Sequence, residues 1–232
     1  MRCIIVGCLL LSLATASADA ESPYESALGH HVRVGGVDYA AWKASPEDLQ
    51  AVRDFTEAAA GKDLTGLGRE ERLAFLINAY NAWMLRQVLE RYPIQSVKEI
   101  APNFGVFSEK RITVAGRKMS LNELEKEWLL KEFREPRVHF AINCASRSCP
   151  PLKASLWSAE DLEAQFDDAT RAYLTRNPLG FDEKSGRVSS IFDWYAADFG
   201  GPDGVRAFLG KYRTPPAKIG FLEYDWSLNS VQ

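Results

Sequence analysis

The chain has 232 residues, of which 46% are hydrophobic and 25% charged, and its formal net charge is -3. These are ordinary globular values, and the mildly acidic balance argues against nucleic acid as the main partner. No low-complexity tract or internal repeat is present, so composition excludes several classes without selecting a function.

Met1-Arg2 supplies one positive charge, an apolar run extends from Cys3 to Leu13, and small residues follow from Ala14 to Ala20. This order is that of a secretory signal peptide over residues 1–20, with cleavage expected after Ala20 or else after Ala18. Ile5-Val6-Gly7-Cys8 loosely resembles a lipoprotein box, but would leave almost no apolar run before it. The expected mature protein is secreted or periplasmic, with no transmembrane anchor. Cys3 and Cys8 depart with the leader, so only Cys144 and Cys149 remain.

Residues 21–69 read as an N-terminal helical lead. Within it, Ser45-Pro46-Glu47-Asp48 combines a hydroxyl cap, a proline at the first helical position and two acids at the positive end of the helix dipole. That helix should turn Leu49, Val52 and Phe55 inward and end by Gly61. Residues 70–232 form the expected core domain. Its strongest helix runs from Glu70 to Arg91, where Leu73, Leu76, Ile77, Tyr80, Met84, Leu85 and Val88 repeat at helical spacing before Pro93. Asn78 and Asn81 interrupt this apolar face. Each either pins a neighbouring segment or orients groups in a polar site, because a buried amide must find partners.

Ile112-Thr113-Val114 and the residues after Gly116 suggest a hairpin, and Ser120-Leu121-Asn122-Glu123 is a capping box opening a helix through Leu130. Val138 to Ile142 reads as a buried strand. Ser158 to Asp161 caps a helix reaching Leu174, and Val188 to Phe192 suggests another strand. Short helices over 193–199 and 202–212 precede a last strand near 219–224. The expected fold class is α+β: a helix-rich single domain with a small, mostly antiparallel sheet.

Reactive side chains are densest from His139 to Pro151, at the end of the expected strand, where two prolines stiffen the exit. A nucleophilic cysteine needs a lowered thiol pKa, commonly from a nearby imidazole. Of three histidines in the chain, His139 is the one near Cys144. Five residues of straight strand would separate them by roughly 16 Å, so the chain must turn sharply at Asn143 or Ala145-Ser146. Other readings stand beside this one: His139 as a satisfied core residue, Cys144–Cys149 as a disulfide, or both thiols buried and inert. Asn78, Asn81, Asn143, Ser146, Ser148 and Trp194 are candidates to bind or orient a substrate. Trp194-Tyr195 and Asp225-Trp226 suit aromatic core packing better than a pocket wall. The histidines lack metal-ligand spacing and the glycine pairs lack phosphate-loop context, so no metal or cofactor is expected.

Three stretches together resemble a known family: Phe75-Leu-Ile-Asn78-Ala-Tyr80-Asn81-Ala, Val138-His139-Phe140-Ala-Ile-Asn143-Cys144-Ala-Ser146-Arg-Ser148-Cys149-Pro150-Pro151-Leu152, and Ile191-Phe192-Asp193-Trp194-Tyr195 with Asp198-Phe199. They resemble the family catalogued as domain of unknown function 547. The resemblance implies a distant similarity to papain-like and transglutaminase-like folds, with Cys144 as nucleophile, His139 as base and Asn78 or Asn81 near the site. The resulting expectation is a cysteine-dependent hydrolase or acyltransferase acting on an amide or thiol-containing small peptide. The alternatives are a noncatalytic envelope module that captures a peptide or thiol ligand beside a Cys144–Cys149 disulfide, and a structural accessory protein.

Overall fold

The computed structural model describes residues 22–176 and 178–231; the expected signal peptide and its cleavage site lie outside them. The first helix, α1 (Pro23–His31), leads through the two-residue strands β1 (Val32–Arg33) and β2 (Gly36–Val37) into α2 (Tyr39–Ala44). Helix α3 (Pro46–Gly61) begins as its residues dictate, with the Ser45 hydroxyl accepting from the Asp48 N–H at 3.3 Å. Helix α4 (Arg69–Arg91) is the central element, and the apolar residues that repeat along it are buried. Tyr24, Leu28, Tyr39, Trp42 and Val52 belong to the same hydrophobic cluster as α4, so the N-terminal helices and the long helix share one core.

A short helix, α5 (Gly105–Ser108), precedes the antiparallel hairpin of β3 (Ile112–Val114) and β4 (Arg117–Met119). The capping box after it is complete: Ser120 N–H donates to Glu123 at 2.8 Å and Glu123 N–H to the Ser120 hydroxyl at 3.1 Å. The helix it opens is wound as a π-helix over Glu123–Leu130 and closes as α6 (Lys131–Phe133). The expected strand from Val138 to Ile142 is instead one turn of helix, α7 (Val138–Ala141), with only Ile142 extended beyond it. An apolar run of five residues does not discriminate strand from buried helix. Here Glu135 and Pro136 carbonyls accept from Val138 and His139 N–H at 3.1 and 3.2 Å and start a helical turn.

Helix α8 (Leu162–Leu174) leads to β5 (Phe181–Asp182) and β6 (Arg187–Val188). The second expected strand stops at Val188, because the Ser189 hydroxyl accepts from Ile191 N–H at 3.2 Å and the chain turns into α9 (Ile191–Trp194). A 3-10 turn (Ala196–Phe199), α10 (Gly201–Gly210) and β7 (Gly220–Phe221) complete the order. The strands form three small sheets, antiparallel except for the parallel pairing of β6 with β7. The architecture is α+β and helix-rich. Among the described residues no helix is long and apolar enough to cross a membrane. A second cluster, around Phe140, Tyr173, Phe192, Phe199 and Phe208, packs α7 against the C-terminal helices.

The two asparagines of α4 tie these parts together. Asn78 donates to the Trp157 carbonyl at 2.8 Å and accepts from its N–H at 3.0 Å. Asn81 donates to the Ala141 carbonyl at 3.0 Å and accepts from the Asn143 N–H at 2.8 Å. Each amide thus replaces the partner that a strand would otherwise give to irregular buried backbone. Replacing Asn78 with alanine leaves two buried backbone groups unpaired, at about 1–3 kcal/mol each. Asn78→Ala is expected to lower the urea midpoint accordingly; an unchanged midpoint would mean that the amide contributes nothing to holding the 157 segment.

Candidate functional site

The chain leaves α7 at Ile142 and must reverse before Pro150. Asn143 makes the reversal: its side-chain oxygen accepts from Ala145 N–H at 2.9 Å, and its amide donates to the Pro150 carbonyl at 2.7 Å. Ala145 takes up the turn with φ 59, in the left-handed region. Such a conformation persists only where its surroundings impose it. The C-terminal segment imposes it here, with Asn229 N–H donating to the Ala145 carbonyl at 3.0 Å and Arg147 N–H to the Ser227 carbonyl at 2.7 Å. The Ser148 hydroxyl accepts from Asp225 N–H at 2.9 Å.

The turn directs Cys144 into a cleft of about 310 Å³. His139, Glu125 and Cys149 border the same cleft, and Phe104, Phe107, Trp194, Tyr195, Tyr224 and Trp226 wall it. Trp194, Tyr195 and Trp226, expected to pack in the core, instead line this opening, and Trp194 is half exposed. Its ring stands 4.8 Å from Tyr224 and 6.0 Å from Trp226.

Both cysteines are free, so the disulfide allowed by their spacing is not formed. Their environments are opposite. Cys144 is half-buried, and its sulfur lies 3.0 Å from the Ser146 hydroxyl and 3.3 Å from that of Tyr224. Burial raises its pKa, but hydrogen bonds from Cys149, Ser146 and Tyr224 outweigh burial and bring the thiol below its ordinary value. Cys149 is buried and raised, first by burial and then by its bond and charge interaction with Cys144. Its sulfur also accepts the Cys144 N–H at 2.9 Å. Tyr224 is pushed up by burial and by the neighbouring cysteines, so it remains a proton donor.

His139 does not hydrogen-bond Cys144. Its Nε2 donates to the exposed Asp198 carboxylate at 2.9 Å, and its ring lies 4.1 Å from Tyr195. The carboxylate fixes the tautomer and leaves Nδ1 as the second proton site. The histidine is therefore both a satisfied buried residue and a wall of the cleft. The lowering of the Cys144 thiol comes from hydroxyl and thiol groups, in place of the direct imidazole contact expected from the sequence.

Of the remaining candidates, Ser146 touches the thiol and Trp194 lines the opening. Asn78, Asn81, Asn143 and Ser148 do not line the cleft; their side-chain groups bond the backbone that shapes it. Sequence reasoning assigned no role to Asp198, Tyr224 or Glu125. The last carried a signal, since Glu125 falls one turn from both Leu121 and Leu129 in a stripe that is otherwise apolar and buried.

The family described as "Protein of unknown function, DUF547" matches residues 64–174. That segment belongs to the DUF547 family. No curated protein and no solved structure matches the chain. The DUF547 segment carries Cys144, Cys149, His139 and Glu125, whereas Asp198 and the walls formed by Trp194, Tyr224 and Trp226 follow it. The cleft of this protein is thus completed by residues outside the matched segment.

One cluster of metal-ligand character occurs among the described residues. The His30, His31 and Asp48 ligand atoms lie within 4.8 Å of one another. Asp48 accepts from His31 at 2.8 Å, His30 at 3.3 Å and the Ser45 hydroxyl at 2.9 Å, while the Nδ1 of His31 is buried without a hydrogen-bond partner. Burial opposes the Asp48 charge, but these three donors hold its carboxyl below the usual value. None of the three borders the cleft.

Hydrogen bonds to the Cys144 sulfur favour its thiolate, so removing a donor must raise the pKa and deplete the thiolate at neutral pH. Tyr224→Phe and Ser146→Ala are each expected to move the pH profile of iodoacetamide alkylation at Cys144 upward. Profiles that coincide with that of the wild type would dismiss these hydroxyls as the activating groups.

Proposed function

We propose that the cleft is the active site of a cysteine-dependent enzyme, a hydrolase or acyltransferase acting on an amide or thiol-containing small peptide in a secreted or periplasmic setting. The observation that carries this reading is the meeting, in one aromatic-walled cleft, of a thiol lowered by its hydrogen bonds with an imidazole held by a carboxylate. A thiol and an imidazole oriented by a third polar group are also what a papain-like or transglutaminase-like chemistry uses.

In this mechanism the Cys144 thiolate attacks the carbonyl carbon of the substrate amide, forming a carbon–sulfur bond. His139, carrying a proton on Nδ1 while Asp198 holds Nε2, gives that proton to the leaving nitrogen as the carbon–nitrogen bond breaks. The imidazole then takes a proton from water, or from a second nucleophile, as the thioester is cleaved and Cys144 is regenerated. Asn78 and Asn81 supply no oxyanion donors here, because their amides already bond Trp157 and Ala141.

The second reading is a noncatalytic module that captures a thiol or peptide ligand. Its support is the closeness of Cys144 and Cys149 on one turn, where the Cys149 sulfur accepts the Cys144 N–H at 2.9 Å.

A panel of chromogenic peptide amides and thioesters separates the two. Turnover is expected from the wild type and none from Cys144→Ala, while His139→Ala should lose roughly 100-fold or more in kcat. Asp198→Asn should lose less, with a changed pH profile, since it acts through the imidazole. Turnover that persists in Cys144→Ala would refute the catalytic reading. Absence of turnover, together with iodoacetamide labelling of Cys144 only after denaturation, would leave the binding module.

A further inference from the structure

Glu125 is 6% exposed and lies on the π-helical stretch Glu123–Leu130, where it borders the cleft. A π-turn displaces side chains from the ordinary helical register and is frequent at functional sites. Its Oε2 accepts from the Tyr80 hydroxyl at 3.4 Å, and Tyr195 lies near enough for the carboxylate charge to raise its phenol. Burial first, and then the Glu125 charge, raise both phenols above their ordinary range, so both remain donors.

These are neutral partners. Among the described residues that line the cleft there is no lysine or arginine. Lys98 lies at its edge, with its ammonium over the Phe104 and Trp226 rings at 5.1 and 5.6 Å, and the imidazole on the wall bonds Asp198. A buried carboxylate with no cation beside it is expensive in a protein interior. The surroundings fit a cation from outside: Tyr195, Trp194 and Phe107 present aromatic rings along the same cleft, and aromatic faces attract positive charge.

From the carboxylate, the phenols and the aromatic walls, we infer that the cleft selects ligands bearing an alkylammonium end, which Glu125 receives while the rest of the molecule extends toward Cys144. The inference rests on the reading that the cleft takes a substrate, but it does not require Cys144 to be catalytic. The implied substrate is an amide carrying a positively charged side chain or amine terminus. An anionic substrate of the same length is disfavoured by repulsion from Glu125.

Calorimetric titration of Cys144→Ala with N-acetylcadaverine, its terminal alcohol analogue and its terminal carboxylate analogue isolates the charge at one end of otherwise matched probes. The ammonium probe is expected to bind roughly tenfold or more tightly than the alcohol, with the carboxylate weakest. Glu125→Gln in the same background should erase the preference while its far-ultraviolet circular dichroism is retained. If that variant does not fold, protection of wild-type Cys144 from iodoacetamide supplies the readout, with N-acetylcadaverine protecting and the alcohol not. Equal affinity for the three probes, no binding by any of them, or a preference that survives in Glu125→Gln would overturn the inference. Selective binding without turnover by the wild type would keep the cation site and reject the enzyme.

Discussion

Buried backbone without a regular hydrogen-bonding partner is the constraint on which this structure turns. The chain from Ala141 to Pro150 is neither helix nor strand for most of its length, yet much of it is sealed in the interior. Water cannot satisfy such groups, so protein groups must. Asn81 reaches from α4 to the Ala141 carbonyl and the Asn143 N–H, Asn143 spans its own turn, and the C-terminal segment pairs with Ala145 and Arg147. Three sequence regions thereby meet on one loop. The position of Cys144 is a consequence of that meeting.

The same loop separates the chemistry of its two cysteines. Burial alone would raise both thiols. Cys144 escapes because Ser146, Tyr224 and Cys149 donate toward it, while Cys149, deeper and acting as a donor to its neighbour, is driven the other way. Asymmetry of this kind suits a nucleophile beside a thiol that stays protonated. His139 is held separately, by its contact with Asp198 on the C-terminal side of the molecule. The thiol and the imidazole thus share a cleft while each keeps its own hydrogen-bond partners.

Much of the scaffold was legible in order. The Ser45 cap, the Ser120–Glu123 box and the apolar repeat of Arg69–Arg91 each act through neighbours three or four residues away, and local spacing records such interactions. The segments around Val138 and Val188 were misread for the complementary reason. A run of apolar residues states that a segment is buried, and the availability of a pairing strand decides whether it extends. Among the described residues no such strand pairs with Val138–Ala141, and the Ser189 hydroxyl together with the Ser189 and Ser190 carbonyls turns the second segment into a helix. The two mid-helix asparagines were recognised as needing partners, but the identity of those partners, up to 79 residues away, was not readable.

By itself the sequence determined the helix-rich class, the principal helix boundaries, the family of residues 64–174 and the concentration of reactive groups between His139 and Pro151. Each of these follows from short-range periodicity, capping or motif order. Tertiary structure alone decided that Tyr224 would donate to the Cys144 sulfur, that Asp198 would hold His139, and that Glu125 would face a cleft lined with aromatic rings. Those pairings span 80 residues for Tyr224 and 59 for Asp198. They depend on how packed helices bring remote segments together, which no local spacing encodes.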